Sequence, residues 1–217
     1  MGSNLSRISV LLVLVLAVSG LASAGTVTYT NQSAFSAATS GLTTLTFDGI
    51  APANSFVSYG TGPLVLSGVS ITGNGSMFVI DQGYYGSAYS GGGYLNSDYA
   101  ASGVDELTFV LPGPTTAVGF NYGGLFGGPV TFDVTLDAMG PFSFTTSQSI
   151  AGSSSLDFLG ITSTTAFSTV VVDMPDGSLY NAIDNFQFGT STATPEPASF
   201  MLLGVGVLAV GKRLRRK

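Results

Sequence analysis

From Gly25 onward the chain alternates apolar and polar positions in short runs, each closed by Gly, Pro, Asn or Asp. "LTTLTFDG", "GPLVLSGVSITGNG", "SMFVIDQG", "DELTFVLPGP", "AVGFNYGG", "PVTFDVTLDAMG", "PFSFTTS", "LDFLGIT", "FSTVVVDMPDG" and "AIDNFQFG" are rich in β-branched and aromatic residues, the composition of strands ended by turns. In "VTFDVTLD" the side chains of Val130, Phe132, Val134 and Leu136 fall on one face, and Thr131, Asp133, Thr135 and Asp137 on the other, the period-two signature of a half-buried strand. Helical spacing is met in the body only at "NQSAFSAATS", where Asn31 predicts an N-cap and Phe35 an inward contact. Many short strands without intervening helices predict an all-β fold, an antiparallel β-sandwich of jelly-roll type over residues 25–189 with one short N-terminal helix. No repeat of solenoid period is present, which disfavours a propeller or β-helix. Residues 190–194 read as a linker.

One stretch departs from the rhythm. "DQGYYGSAYSGGGYLNSDYAAS", residues 81–102, holds Tyr84, Tyr85, Tyr89, Tyr94 and Tyr99 among Gly, Ser and Asn. Rigid rings on a mobile backbone suit an adaptable recognition surface, and a loop this long inside a domain is unusual unless it binds something. Two readings stay open: a glycan- or protein-facing surface, or a Gly-rich excursion whose tyrosines pack on the sandwich. Rings coplanar on one exposed face, or lining one groove, favour the first; burial against the core favours the second. A second Gly-rich stretch, 119–129, is a candidate neighbour.

The ends follow a different logic. "MGSNLSRISVLLVLVLAVSGLASAG" places Arg7 before a mostly apolar run, Ile8–Val18, and then Ala22-Ser23-Ala24. Basic start, short apolar stretch and small residues before the cut form the layout of a secretory signal peptide over residues 1–24. The run rises only about 16 Å as a helix, roughly half of a bilayer's ~30 Å core. At the other end, Ala198–Gly211 contains no charge and makes about 21 Å of helix. Pro195 and Pro197 separate this C-terminal hydrophobic helix from the body. Lys212, Arg213, Arg215, Arg216 and Lys217 follow it and suit cytoplasmic headgroups, where long side chains snorkel and extend a short span.

Pro195-Glu196-Pro197, then a short Gly-rich apolar helix, then a basic end: in this order residues 195–217 resemble the PEP-CTERM sorting signal of exported bacterial proteins. The resemblance implies export, through the Sec machinery, of a protein whose tail is a handle for exosortase, a membrane-embedded Cys protease or transpeptidase. Pro195, Glu196 and Pro197 are then the recognised residues, with Arg213, Arg215 and Arg216 in the basic cluster; Lys212 and Lys217 stand where the family more often has Arg. An inner-membrane intermediate, held transiently through 198–211, would be cut near the motif and released to the cell surface or extracellular matrix. A permanent C-terminal membrane anchor is the alternative fate.

Composition narrows the chemistry. The chain of 217 residues has no Cys, His or Trp, and only 8% of its residues are charged. Disulfides, zinc-thiolate sites, a His base and a Cys nucleophile are thereby excluded. Its 12 acidic residues all lie between Gly25 and Thr194 except Glu196, and that interval contains no Lys or Arg. Each body carboxylate must therefore be solvated, hydrogen-bonded, protonated or bound to a cation. Nucleic acid is excluded as a partner of such a body, because its phosphates would be repelled.

Catalysis would require two carboxylates flanking one bond, and the adjacent Asp105 and Glu106 face opposite sides of a strand. The chain is therefore expected not to be an enzyme and to require no cofactor. Asp48 in "LTFDG" and Asp184 in "AIDNFQF" sit on early and late strands, which are commonly neighbours in sandwiches. They are the candidates for a structural Ca²⁺, which takes six to eight oxygens; a turn cap at Asp48 and a backbone hydrogen bond at Asp184 are the alternative. No EF-hand loop is present. The functions that follow are a non-catalytic surface or matrix protein and, alternatively, a carbohydrate-binding module or adhesin taking exopolysaccharide on the 81–102 surface.

Overall fold

A computed structural model describes residues 25–86, 88–97, 105–126, 129–174 and 181–192. The elements are β1 (Thr26–Tyr29), α1 (Gln32–Ala37), β2 (Thr39–Leu45), β3 (Phe56–Gly60), β4 (Leu64–Leu66), β5 (Val69–Gly73), β6 (Met77–Ile80), β7 (Tyr94–Ser97), β8 (Asp105–Gly124), β9 (Val130–Leu136), β10 (Met139–Thr146), β11 (Asp157–Met174) and β12 (Asn181–Ser191). The fold is an antiparallel β-sandwich. α1 forms where expected: the Asn31 side chain accepts from the Ala34 N–H at 3.0 Å, and Phe35 is fully buried.

Two long strands build both layers. β8 and β11 pair along almost their whole length, but the ladder slips between Thr162 and Thr169 of β11, opposite the Pro112-Gly113-Pro114 turn of β8. On one side of the slip, residues 107–110 of β8 pair with β5, and residues 170–173 of β11 with β9 and then β10. On the other side, residues 117–124 of β8 pair with β12, and residues 160–163 of β11 with β1. β12 also pairs with β2 and β7, and the sheet continues from β7 to β6 and β3. The runs "DELTFVLPGP" and "AVGFNYGG", read from sequence as separate strands, are thus one bent strand, as are "LDFLGIT" and the "FSTVVVDM" part of the run that follows it. Proline has no N–H to offer a ladder, so the Pro-Gly-Pro turn interrupts pairing while the chain direction persists.

Between the layers, Phe186 of β12 stacks on Phe109 of β8 at 4.3 Å with the rings 5° apart, and lies 6.0 Å from Phe120. Phe109 and Phe120 belong to the two halves of the bent strand. The main core cluster therefore draws on both sides of the slip. β9 keeps the expected alternation, with Val130, Phe132, Val134 and Leu136 buried.

Three corrections to the sequence reading arise here. β3 and β1 form strands that were not predicted. Residues 94–97 are not loop but strand β7, set between β6 and β12 inside the sheet. β12 runs to Ser191, so the first two residues of the expected linker belong to a strand.

Candidate functional site

The segment after β6 turns sharply because Asp81 anchors it. Asp81 Oδ2 accepts from the Asn54 and Gly83 N–H groups at 2.8 and 3.0 Å, its carbonyl accepts from Tyr84 N–H, and Gly83 O accepts from Gly86 N–H. The two turns direct Tyr84 and Tyr85 outward. Tyr84 contacts Phe56 of β3 at 5.2 Å and Tyr85 at 4.7 Å, and Tyr85 contacts Phe126 at 5.9 Å. The successive rings meet edge to face, at 74°, 79° and 75°, and Phe78 extends the row behind Phe56 at 5.6 Å. The row joins the 81–86 segment to the 119–129 stretch, most of which is the end of β8 rather than a turn.

The tyrosines of 81–102 therefore do not act as one set. Tyr84 and Tyr85 are exposed, but they are perpendicular, not coplanar. Tyr89 and Tyr94 are buried, which removes them from any ligand-facing surface. Tyr94 is carried into the sheet by β7, and burial raises its phenol well above the usual range, with smaller contributions from Tyr85 and Asp81. Tyr99 lies outside the described residues. Phe56 and Phe126 were missed, because nothing local in the sequence brings residues so far apart into one row.

Tyr89 points inward to the carboxylate pair singled out from sequence. Its hydroxyl donates to Oδ2 of the fully buried Asp184. Asn185 donates to Oδ1 through its backbone N–H at 2.6 Å and to Oδ2 through its side chain at 3.1 Å. Asn185 has a φ of 48° and sits where the β12–β8 register slips, which turns its N–H back toward Asp184. Burial pushes the Asp184 carboxyl up to about 6, against the Tyr89 and Asn185 hydrogen bonds that lower it, and Asp48 raises it further. The Tyr89 phenol is raised in turn by burial first, then by Asp184 and Asp48.

Asp48 reaches this cluster from the turn that follows β2. Its Oδ1 accepts from Gly93 N–H at 2.7 Å. A side chain at Gly92, whose φ is +102°, would collide with the Asp48 carboxylate, and one at Gly91 would collide with the Tyr89 hydroxyl. "GGG" at 91–93 is thus the close wrapping of backbone around Asp48 and Tyr89. Both candidate metal residues meet in one cluster, as two carboxylates rather than a set of ligands. Among the described residues, no group of three or more His, Cys, Asp or Glu side chains is placed to hold a metal ion.

A second acidic feature was not foreseen. Glu106 of β8 is paired with Asp173 of β11, and Asp173 with Asp133 of β9. Three carboxylates thus stand side by side across three strands. The Asp173 carboxyl is raised by partial burial, then by the Glu106 and Asp133 charges, against a lowering hydrogen bond from the Met174 backbone. Ser143 of β10 donates to Asp133 at 2.5 Å. Asp105, next to Glu106, points the other way and is buried, receiving the Ser97 hydroxyl.

Residues 193–217 match the family model of the PEP-CTERM protein-sorting motif. The chain carries a PEP-CTERM motif. This motif implies export and sorting to the cell surface. Pro195, Glu196, Pro197, the 198–211 segment, the basic end 212–217 and the segment 1–24 read as a signal peptide lie outside the described residues. Among the described residues, no helix is long and apolar enough to cross a membrane.

No curated protein matches the chain. Among solved structures, the body is similar to the catalytic domain of a GH87 alpha-1,3-glucanase in complex with tetrasaccharides (14% identity, TM-score 0.39, 68% of this chain). It spans only 30% of that glucanase chain. It is also similar to the K2 cleaved adhesin domain of Lys-gingipain (14% identity, TM-score 0.40, 68% of this chain and 99% of that one). A mutant of the family 29 carbohydrate-binding module CBM29-2 is similar at 14% identity and TM-score 0.36, over 66% of this chain and 97% of that one. At these scores none of the three bears on what this body binds.

Proposed function

We propose that this PEP-CTERM protein is a non-catalytic component of the cell surface or extracellular matrix, exported behind a signal peptide and sorted by exosortase through residues 195–217. The match at 193–217 carries the reading. The charge distribution supports it. The 12 acidic residues less Glu196 leave eleven on a body without Lys or Arg, so losing both the signal segment with Arg7 and the tail from the motif onward takes the formal net charge from −6 to about −11. All of the positive charge leaves with the two processed ends.

The side chains present support a reading without catalysis. The body has no His, Cys, Lys or Arg, so general acid–base work would fall chiefly to carboxylates. Asp184 has both oxygens engaged by Tyr89 and Asn185, and Asp105 is buried on the side of the strand opposite Glu106. Glu106, Asp173 and Asp133 share one sheet face and do not oppose one another across a gap that a substrate could enter.

Mass spectrometry of the cell-associated and released protein tests the sorting step. The expected released form begins at Gly25 and ends near the motif. A released or surface form still ending in "KRLRRK" would refute exosortase processing and favour a permanent anchor. Deleting residues 195–197 is expected to hold the chain at the inner membrane.

A further inference from the structure

Aromatic side chains normally contribute to folding by leaving water, yet Phe56, Tyr84, Tyr85 and Phe126 remain 42, 39, 42 and 44% exposed. They are four of the seven large apolar side chains exposed among the described residues, and they touch one another in sequence. We propose that this row binds an uncharged polysaccharide chain, a role for the body that sorting does not supply.

The row is preformed. Asp81 fixes the turns that carry Tyr84 and Tyr85, and each ring is braced edge to face by the next. Little side-chain freedom remains to be lost when a ligand binds. Tyr84 stands nearly perpendicular to both of its neighbours, so the row is not a coplanar platform but offers single ring faces set between ring edges. The negative face of an aromatic ring attracts the polarised C–H groups of a pyranose. Neighbouring rings lie 5.2, 4.7 and 5.9 Å apart, so a sugar chain that touches one ring has the next within reach. The tyrosine hydroxyls add polar groups for sugar hydroxyls.

Charge and area select this occupant over others. The body has no cationic side chain, so nucleic acid, acidic polysaccharide and anionic lipid all meet repulsion without a compensating contact. Two-fifths of four side chains of about 200 Å² each leaves roughly 300 Å² of apolar surface. A stable protein interface takes about 800 Å² from each partner. The row is too small for a second copy of the chain and suits a slender polymer.

Native gels cast with dextran, an uncharged β-glucan, a galactomannan or alginate test this on the full-length chain in mild detergent. At least one uncharged polymer is expected to retard the protein, and the Tyr84→Ala, Tyr85→Ala double variant is expected to lose at least tenfold in affinity with its melting transition retained. The single variant Phe126→Ala, at the other end of the row, gives an independent reading should the double variant not fold. As the chain has no Trp, tyrosine emission changing on addition of the same polymer is a second readout on the unaltered protein. Four results would overturn the proposal: no retardation by any uncharged polymer, retardation by alginate alone, binding unchanged in folded variants, or a dimer that these substitutions dissolve. The processed C-terminus is measured separately, so the sorting proposal stands or falls on its own result.

Discussion

The hydroxyl of Tyr89 donates to the carboxylate of Asp184 inside the sandwich, linking the Gly-rich crossing before β7 to the last strand. Removing that donor leaves Oδ2 of a buried carboxylate with only the Asn185 side chain. Tyr89→Phe is expected to cost about 1–3 kcal/mol, the penalty of an under-satisfied buried acceptor. Urea unfolding measures it, and a loss below a few tenths of a kcal/mol would show that the hydroxyl bond contributes nothing to stability.

The same cluster sets a pH dependence. Asp184 is pushed up to about 6 in the folded state, from 3.8, so the folded chain binds its proton more tightly than the unfolded chain does. The resulting stability is fully present below about pH 4 and is lost as pH rises through about 6. Asp173, raised in the same direction, adds to the trend. The contribution of Asp184 is on the order of 2–3 kcal/mol. Chemical denaturation at pH 4.5 and pH 7.5 is expected to show the protein more stable at the acid value, and Asp184→Asn to flatten the difference. Equal stability at both values would contradict the assignment.

Asp173 lies between Glu106 and Asp133 with no cationic neighbour. Like charges paired directly across strands destabilise a sheet by about 0.2–1 kcal/mol per pair. Asp173→Asn is expected to raise stability by about that amount at neutral pH, and to weaken the gain that added salt gives the parent through screening. Melting curves at low and high NaCl check both.

Calcium binding at Asp48 and Asp184 would compete with donors already in place, because Tyr89, Asn185 and Gly93 occupy carboxylate lone pairs. Melting temperatures with a chelator and with millimolar Ca²⁺ are expected to agree within error. A clear rise with Ca²⁺ that Asp48→Asn abolishes would instead place an ion there.

Gly92→Ala would put a methyl group against the Asp48 carboxylate at a φ of +102°. The expected loss is about 1–3 kcal/mol, combining backbone strain with a displaced hydrogen bond. Gly86→Ala, where no atom lies within 4 Å of the added carbon, meets only the positive φ and is expected to lose less. Equal losses would show that the wrapping at 91–93 is loose.

Local pattern by itself determined the strand character of the body, the Asn31 cap with its inward Phe35, the buried face of β9 and the sorting motif at the end. Each of these depends on residues within one turn, one strand or one contiguous signal, where periodicity and capping act. Pairing decided the rest. A period-two pattern states which face a residue takes but not which strand lies beside it. The sequence therefore could not show that two pairs of predicted strands are continuous, or that "YLNS" enters the sheet and takes Tyr94 with it. Nor could it show that Glu106, Asp173 and Asp133 share one row. Tyr84 and Tyr89, five positions apart and alike in composition, were separated by tertiary structure alone. Asp81 turns one outward onto Phe56, and the Gly91–Gly93 crossing closes the other onto Asp184.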